Sequence, residues 1–122
     1  MKRRVLIIDD NVHYASLLSL FLKDHAYRPK IVFDGLTALS LIAKEDFDLW
    51  IVDHWLFGDF KGIDFVRKAR EQGFLTKAVI ITCLIPSEVE QEIKGLGISP
   101  VMDKLLVGTP AFLGSLSRIL DS

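Results

Sequence analysis

Along the 122 residues, short continuous apolar runs alternate with segments whose apolar residues recur at helical spacing. Val5-Leu6-Ile7-Ile8 is apolar at every position and ends in two carboxylates. A strand half-exposed on a sheet surface would alternate, so an unbroken run predicts a strand covered on both faces. Ile31-Val32-Phe33, Leu49-Trp50-Ile51-Val52 and Ala78-Val79-Ile80-Ile81 fit the same description. Ile98 to Met102 predicts a weaker edge strand, because Pro100 cannot donate to the ladder.

Between these runs the period changes. Leu17, Leu18, Phe21 and Leu22, then Leu36, Leu39 and Ile42, then Phe65, Val66 and Ala69 each mark one side of an amphipathic helix. Ser87 to Glu90 has the form of a capping box opening a helix with Val89, Ile93 and Leu96 on one face. Thr109-Pro110 supplies an N-cap and a first-turn proline before Phe112, Leu113 and Leu116, while Gly73 and Gly97 are placed as helix stops. Five strands alternating with five helices require right-handed crossovers between parallel strands. The fold class is therefore α/β, a doubly wound five-stranded parallel sheet with helices on both faces. No repeat or long linker interrupts the pattern, so residues 1–122 are expected to form one domain.

Composition changes this picture only by exclusion. Half the residues are hydrophobic and a quarter charged, which suits a folded globular chain. A formal net charge of −1, with no basic tract beyond Lys2-Arg3-Arg4, argues against direct nucleic-acid binding. The apolar run after those basic residues is too short for a signal peptide, and no stretch approaches the about 18 apolar residues of a membrane span. The lone Cys83 excludes an internal disulfide. A cytoplasmic location is expected, with no membrane partner.

The candidate chemistry lies where the runs end. Ligands of open α/β sheets collect outside the carboxyl ends of the strands. There the first run ends in Asp9-Asp10, the third in Asp53, the fourth in Thr82 and the fifth in Asp103-Lys104. Each acid alone reads as a loop or helix cap. Two unit charges about 4 Å apart repel by roughly 4 kcal/mol at an effective dielectric near 20, so carboxylates gathered on one rim require a positive partner. Oxygen ligands suit Mg²⁺, which keeps its remaining positions for water or phosphate.

With these residues in view the sequence resembles the bacterial response-regulator receiver family from Val5 to the last helix. Val5 to Asn11 resembles its first strand with the acid pair, and Phe47 to Asp53 its third strand with the phosphoacceptor. Phe33 to Leu39 is similar to the start of its second helix. Val79 to Cys83 is similar to its fourth strand with a switch hydroxyl, and Val101 to Lys104 supplies its lysine. The resemblance implies a flavodoxin-like strand order 2-1-3-4-5, the order of chemotaxis-type receivers. It implies that Asp9 and Asp10 help hold Mg²⁺, Asp10 ahead of Asp9 as direct ligand, and that Asp53 takes the phosphoryl group. Thr82 and Lys104 then contact phosphoryl oxygens, and the backbone carbonyl of Trp55 is a further metal ligand. The partners implied are a sensor histidine kinase or phosphotransfer protein and a downstream effector or output domain. The function is a phosphorylation switch rather than a turnover enzyme.

Three departures bear on this. Phe57 stands where the family usually has proline, and Gly62 arrives one residue late, which implies a one-residue insertion in the loop over the site. His54 in that loop is read as a packing residue. Leu105 follows Lys104 in place of proline, and because a non-proline cis bond costs roughly 2.5–4 kcal/mol, a trans bond is expected. Val101 replaces the usual switch aromatic and reads as strand packing. Trp55 and Leu84 border the path of an in-line water, which implies slow self-dephosphorylation.

The alternative is a pseudo-receiver, a protein-interaction module that works without phosphorylation. A cofactor-binding flavodoxin or a small hydrolase is disfavoured, because no glycine-rich phosphate loop follows the first strand and Trp55 stands where dehalogenase-like phosphatases need a second aspartate.

Overall fold

The computed structural model describes residues 2–83 and 87–122, and for 88 and 99–102 the backbone only. In chain order the elements are β1 (Arg3–Ile8), α1 (Val12–Lys23), β2 (Tyr27–Val32), α2 (Gly35–Ile42), β3 (Leu49–Asp53), α3 (Gly62–Glu71), β4 (Lys77–Thr82), α4 (Ser87–Gly95), β5 (Ser99–Asp103), a short 3₁₀ turn (Lys104–Leu106) and α5 (Pro110–Asp121). The strands form one parallel sheet in the order β2-β1-β3-β4-β5.

The unbroken apolar runs are explained by the two cores they serve. In β1, β3 and β4, Leu6, Ile8, Trp50, Val52, Ala78 and Ile80 face α2, α3 and α4. The alternate residues Val5, Ile7, Leu49, Ile51, Val79 and Ile81 face α1 and α5. Side chains alternate across a strand, so a strand covered on both sides must be apolar throughout. Trp50 packs edge-on against Phe65 of α3, ring centroids 5.1 Å apart, both buried.

The edge strand β2 departs from the expected pattern. It spans Tyr27–Val32 and alternates between exposed and covered positions; Pro29 sits within it, and Phe33 lies beyond its end, half exposed. An edge strand has one neighbour and little helix over it, so alternation replaces the continuous run.

Two helices bury most of the residues expected of them, Leu18, Leu22 and Ile42, with Phe21 and Leu39 packed against the core, but each adds small residues to the buried side and turns one leucine out. In α1 the buried side is Ala15, Leu18, Ser19 and Leu22, and Leu17 points outward. In α2 it is Gly35, Ala38 and Ile42, with Leu36 exposed and Leu39 only partly covered. Small residues let a helix approach the sheet closely, and the bulky neighbours are turned away. The α3 stripe of Phe65, Val66 and Ala69 is buried as expected.

Most element ends follow the sequence. Thr109 Oγ1 caps α5 by accepting from Phe112 N–H at 3.2 Å, with Pro110 in the first turn. Gly73 and Gly97 adopt φ of +91° and +68°, the left-handed conformation that closes a helix. The helix α4 begins at Ser87, and its Ile93 is buried with Val89 and Leu96 packed alongside. Arg67 of α3 grips Glu92 of α4 through two guanidinium nitrogens and Asp64 through a third, and Arg70 donates to Leu96 O at 3.1 Å. Among the described residues no helix is long and apolar enough to cross a membrane.

Candidate functional site

The parallel sheet brings the carboxyl ends of β1, β3, β4 and β5 to one rim, and each contributes a polar residue there. Asp9 follows β1, Asp53 closes β3, Thr82 closes β4, and Lys104 follows β5. Asp9, Asp53 and Thr82 are all buried, the three being 0%, 4% and 3% exposed. Thr82 stands one residue beyond Ile81, the register partner of Asp53, and is itself paired with Asp103 on β5.

Carboxylate oxygens of Asp9, Asp10 and Asp53 all lie within 4.8 Å of one another. Each acid also holds its own surroundings in place. Asp9 Oδ1 accepts from Asn11 N–H at 2.9 Å, and Asn11 in turn caps α1 by accepting from Tyr14 N–H at 3.0 Å. Asp53 Oδ1 accepts from Trp55 N–H at 3.3 Å, and Asp10 Oδ2 accepts from Phe57 N–H at 2.8 Å. Helix capping therefore falls to Asn11, and the acids remain on the rim.

The second oxygens of Asp9 and Asp53 meet the only cation the site contains among the described residues. Lys104 Nζ lies 3.2 Å from Asp9 Oδ2 and 3.5 Å from Asp53 Oδ2. Asp9 Oδ2 is fully buried and has no aligned hydrogen bond. Burial raises the Asp53 carboxyl to about 6, with the Asp9 charge adding to the effect and Lys104 and the Trp55 N–H opposing it. Burial opposes the charge on Lys104, but Asp53 and Asp9 outweigh it and hold the ammonium above its ordinary value. One ammonium does not neutralise three clustered carboxylates, and an oxygen-rich, net negative cluster fits a hard divalent cation.

The loop from His54 to Lys61 turns outward at its tip. Leu56 is buried, Phe57 is 92% exposed, and Gly58 takes φ of +88°. Lys61 Nζ donates to Leu56 O at 2.9 Å and sits 5.8 Å over the Trp55 ring. Trp55 is half exposed, stacked edge-on by His54 at 4.6 Å. His54 is buried, its imidazole pushed below the usual range by desolvation, in keeping with a packing residue. The Lys104–Leu105 bond is trans, as expected, and Asp103 steadies the turn after it by accepting from Leu105 N–H at 2.9 Å. The expected shielding by Leu84 lies outside the described residues, as does the side chain of Val101.

Tyr14 carries no signal strong enough to single it out in the sequence, and Gly62, noted there for its position in the loop, shows its steric role only in the fold. Gly62 packs directly beneath Asp53: a Cβ there would stand 2.2 Å from the Asp53 carbonyl oxygen. Tyr14, on the first turn of α1, has its hydroxyl 3.2 Å from the Lys104 carbonyl oxygen and its ring 4.4 Å from Lys104 Nζ. Burial and the neighbouring acids raise the phenol well above its usual range, so it remains a donor. Only the spacing of Tyr14 four residues after Asp10, one helical turn from the rim, hinted at its place.

Comparison with known proteins agrees with this architecture. Residues 5–107 match the family model described as the response regulator receiver domain. The transcriptional regulatory protein CutR of Streptomyces coelicolor is 30% identical over 116 residues, 95% of this chain and 51% of that protein. The chain thus spans about half the length of such relatives. The chemotaxis protein CheY4 of Vibrio cholerae superposes with a TM-score of 0.86 at 28% identity, covering 98% of this chain and 99% of that one. A CheY-like receiver domain protein of Methanospirillum hungatei reaches 0.90 at 22% identity, covering 99% and 95%, and speaks for the fold. With a family model over most of its length and a sheet in the receiver order, the chain belongs to the response-regulator receiver family.

Proposed function

We propose that this receiver domain is a phosphorylation switch in which Asp53 accepts a phosphoryl group with Mg²⁺ bound by Asp9, Asp10, Asp53 and the Trp55 backbone carbonyl. The observation that carries the reading is the buried pairing of Asp53 with Lys104 inside the three-acid cluster. A carboxylate oxygen of Asp53 attacks phosphorus, an acyl phosphate forms, and the bond to the donor, a histidine nitrogen of a kinase or phosphotransfer protein, breaks with its electron pair left on that nitrogen. Mg²⁺ when bound neutralises the acids, so that an anionic donor can approach. Lys104 stabilises charge on the transferred oxygens, and the Thr82 hydroxyl donates to one of them after transfer. The downstream partner is an effector or output domain whose affinity for the receiver changes with phosphorylation, in a cytoplasmic setting.

The test is incubation with Mg²⁺ and acetyl phosphate, followed by intact mass. One added phosphoryl group is expected for the wild type, and none for Asp53→Asn or with chelator present. A second reading, a pseudo-receiver acting only through protein contacts, is favoured by one contact: the Phe57 N–H already satisfies Asp10 Oδ2. Absence of both adduct and Mg²⁺ binding would select that reading.

The half-exposed Trp55, two residues past Asp53, is positioned by its own N–H bond to that carboxylate. Trp55→Asn is expected to shorten the lifetime of the phosphorylated state several-fold, because a polar side chain admits and orients water where an indole excludes it. Decay followed by mass after removal of acetyl phosphate measures this, and an unchanged or longer lifetime would refute it.

A further inference from the structure

We infer that Tyr14, on the first turn of α1, is a positioning residue for Lys104 that holds the ammonium over the acid cluster. The inference deepens the phosphorylation reading and rests on it for its functional consequence. Lys104 lies on a turn that has leucine next, with an ordinary trans bond, so no ring stiffens the chain there. Four methylenes separate its backbone from its ammonium, and an unrestrained lysine stem samples many rotamers.

Tyr14 restrains both ends of this residue. Its hydroxyl donates to the Lys104 carbonyl oxygen at 3.2 Å, which ties the start of the turn to α1 across 90 residues of sequence. Its ring faces Lys104 Nζ at 4.4 Å, within cation–π range. The Asp9 and Asp53 carboxylates complete the cage at 3.2 and 3.5 Å. A contact on the carbonyl and another on the ammonium leave the intervening stem few rotamers. Asn11 fixes the position of Tyr14 in turn, since its side chain accepts from the Tyr14 N–H at the start of α1. Asp9, Asn11, Tyr14 and Lys104 are thus one connected unit, and the first turn of α1 serves as the buttress of the lysine.

The experiment compares wild type, Tyr14→Phe, Tyr14→Leu, Lys104→Met and the Tyr14→Leu/Lys104→Met double variant. The rate of phosphorylation by acetyl phosphate at saturating Mg²⁺ is the first readout. Tyr14→Leu is expected to slow it about tenfold, and Tyr14→Phe, which keeps the ring, by about threefold. In the Lys104→Met background Tyr14→Leu should add nothing, whereas a merely structural role for Tyr14 would lower the rate in both backgrounds alike. The second readout is the proton NMR shift of the Lys104 ε-methylene, which the Tyr14 ring moves upfield in wild type and Tyr14→Phe and leaves at an ordinary lysine position in Tyr14→Leu. An ordinary shift in wild type, or equal rate losses in both backgrounds, would overturn the proposal. Lys104→Met reacting at the wild-type rate would instead overturn the assigned role of the lysine in phosphoryl transfer, and the NMR shift would then decide the positioning by itself. Tyr14→Phe, with its ring retained, guards against a fold defect in Tyr14→Leu.

Discussion

Gly62→Ala is expected to destabilise the protein by about 3 kcal/mol or more, far beyond the usual effect of a glycine-to-alanine change in a helix. The added methyl would stand 2.2 Å from the Asp53 carbonyl oxygen, 2.9 Å from its carbonyl carbon and 2.9 Å from Val52 Cγ1. Two of these are backbone atoms of a central strand, so no side-chain rotation relieves the clash. The Gly62 N–H also donates to His54 O at 3.0 Å, so displacing α3 breaks the bond that closes the loop over the site. Either the helix retreats from the sheet and unpacks its own Phe65 and Val66, or the end of β3 moves and carries Asp53 with it. Gly95→Ala is the control: that position has open space around it, and gain of helix propensity should leave stability unchanged or raise it by up to about 1 kcal/mol. Urea unfolding of the three proteins measures the contrast. A Gly62→Ala variant within about half a kcal/mol of wild type would show that helix and strand are not held at this distance.

Asp53→Asn is expected to make the metal-free protein more stable at pH 7.5, by about 2 kcal/mol. The Asp53 carboxyl is raised from 3.8 to about 6, first by burial and then by the Asp9 charge, with Lys104 compensating only in part. For an acid whose folded value lies above its unfolded one, the folded state binds the proton more tightly. Stability is then fully present below about pH 4 and is lost as pH rises through about 6. A shift of about two units, in which the Lys104 attraction is already counted, corresponds to roughly 3 kcal/mol, and part of that is offset because the asparagine amide is itself a polar group to desolvate at this site. Asparagine keeps the shape and the acceptor for the Trp55 N–H but carries no charge. The advantage of the variant should therefore shrink toward pH 4. It should also shrink in saturating Mg²⁺, which stabilises the wild type by mass action. Urea melts in EDTA at both pH values, repeated with Mg²⁺, provide the measurement. Equal stability of the two proteins in EDTA at pH 7.5 would mean that the cluster is not strained by its own charge.

Both effects belong to a site whose members were visible as strand ends. Asp9, Asp10, Asp53, Thr82 and Lys104 stand out because each closes or follows an apolar run, and a parallel sheet places such ends on one rim. The doubly covered strands β1, β3 and β4 were equally plain, since a short unbroken apolar run rich in β-branched residues has few other uses. Less plain was the edge strand β2, whose alternating residues answer to one neighbour instead of two. The helix stripes misled where size was taken as a guide: Leu17 and Leu36 are exposed, while Ala15 and Ala38 are buried. Periodicity shows that a helix has a face, but which of two adjacent stripes turns inward depends on how closely the sheet lets it approach.

What the sequence determined by itself was thus local and repetitive: the period of each segment, the cap at Thr109, and the polar residues at the strand ends. These depend on neighbours within a few positions, where backbone geometry alone dictates the pattern. Tertiary structure decided that Gly62 must be glycine because the Asp53 carbonyl packs against it, and that Tyr14 meets Lys104. Such contacts join residues from separate elements. Their energies depend on distances of a few tenths of an ångström, which only the packing of helix against sheet establishes.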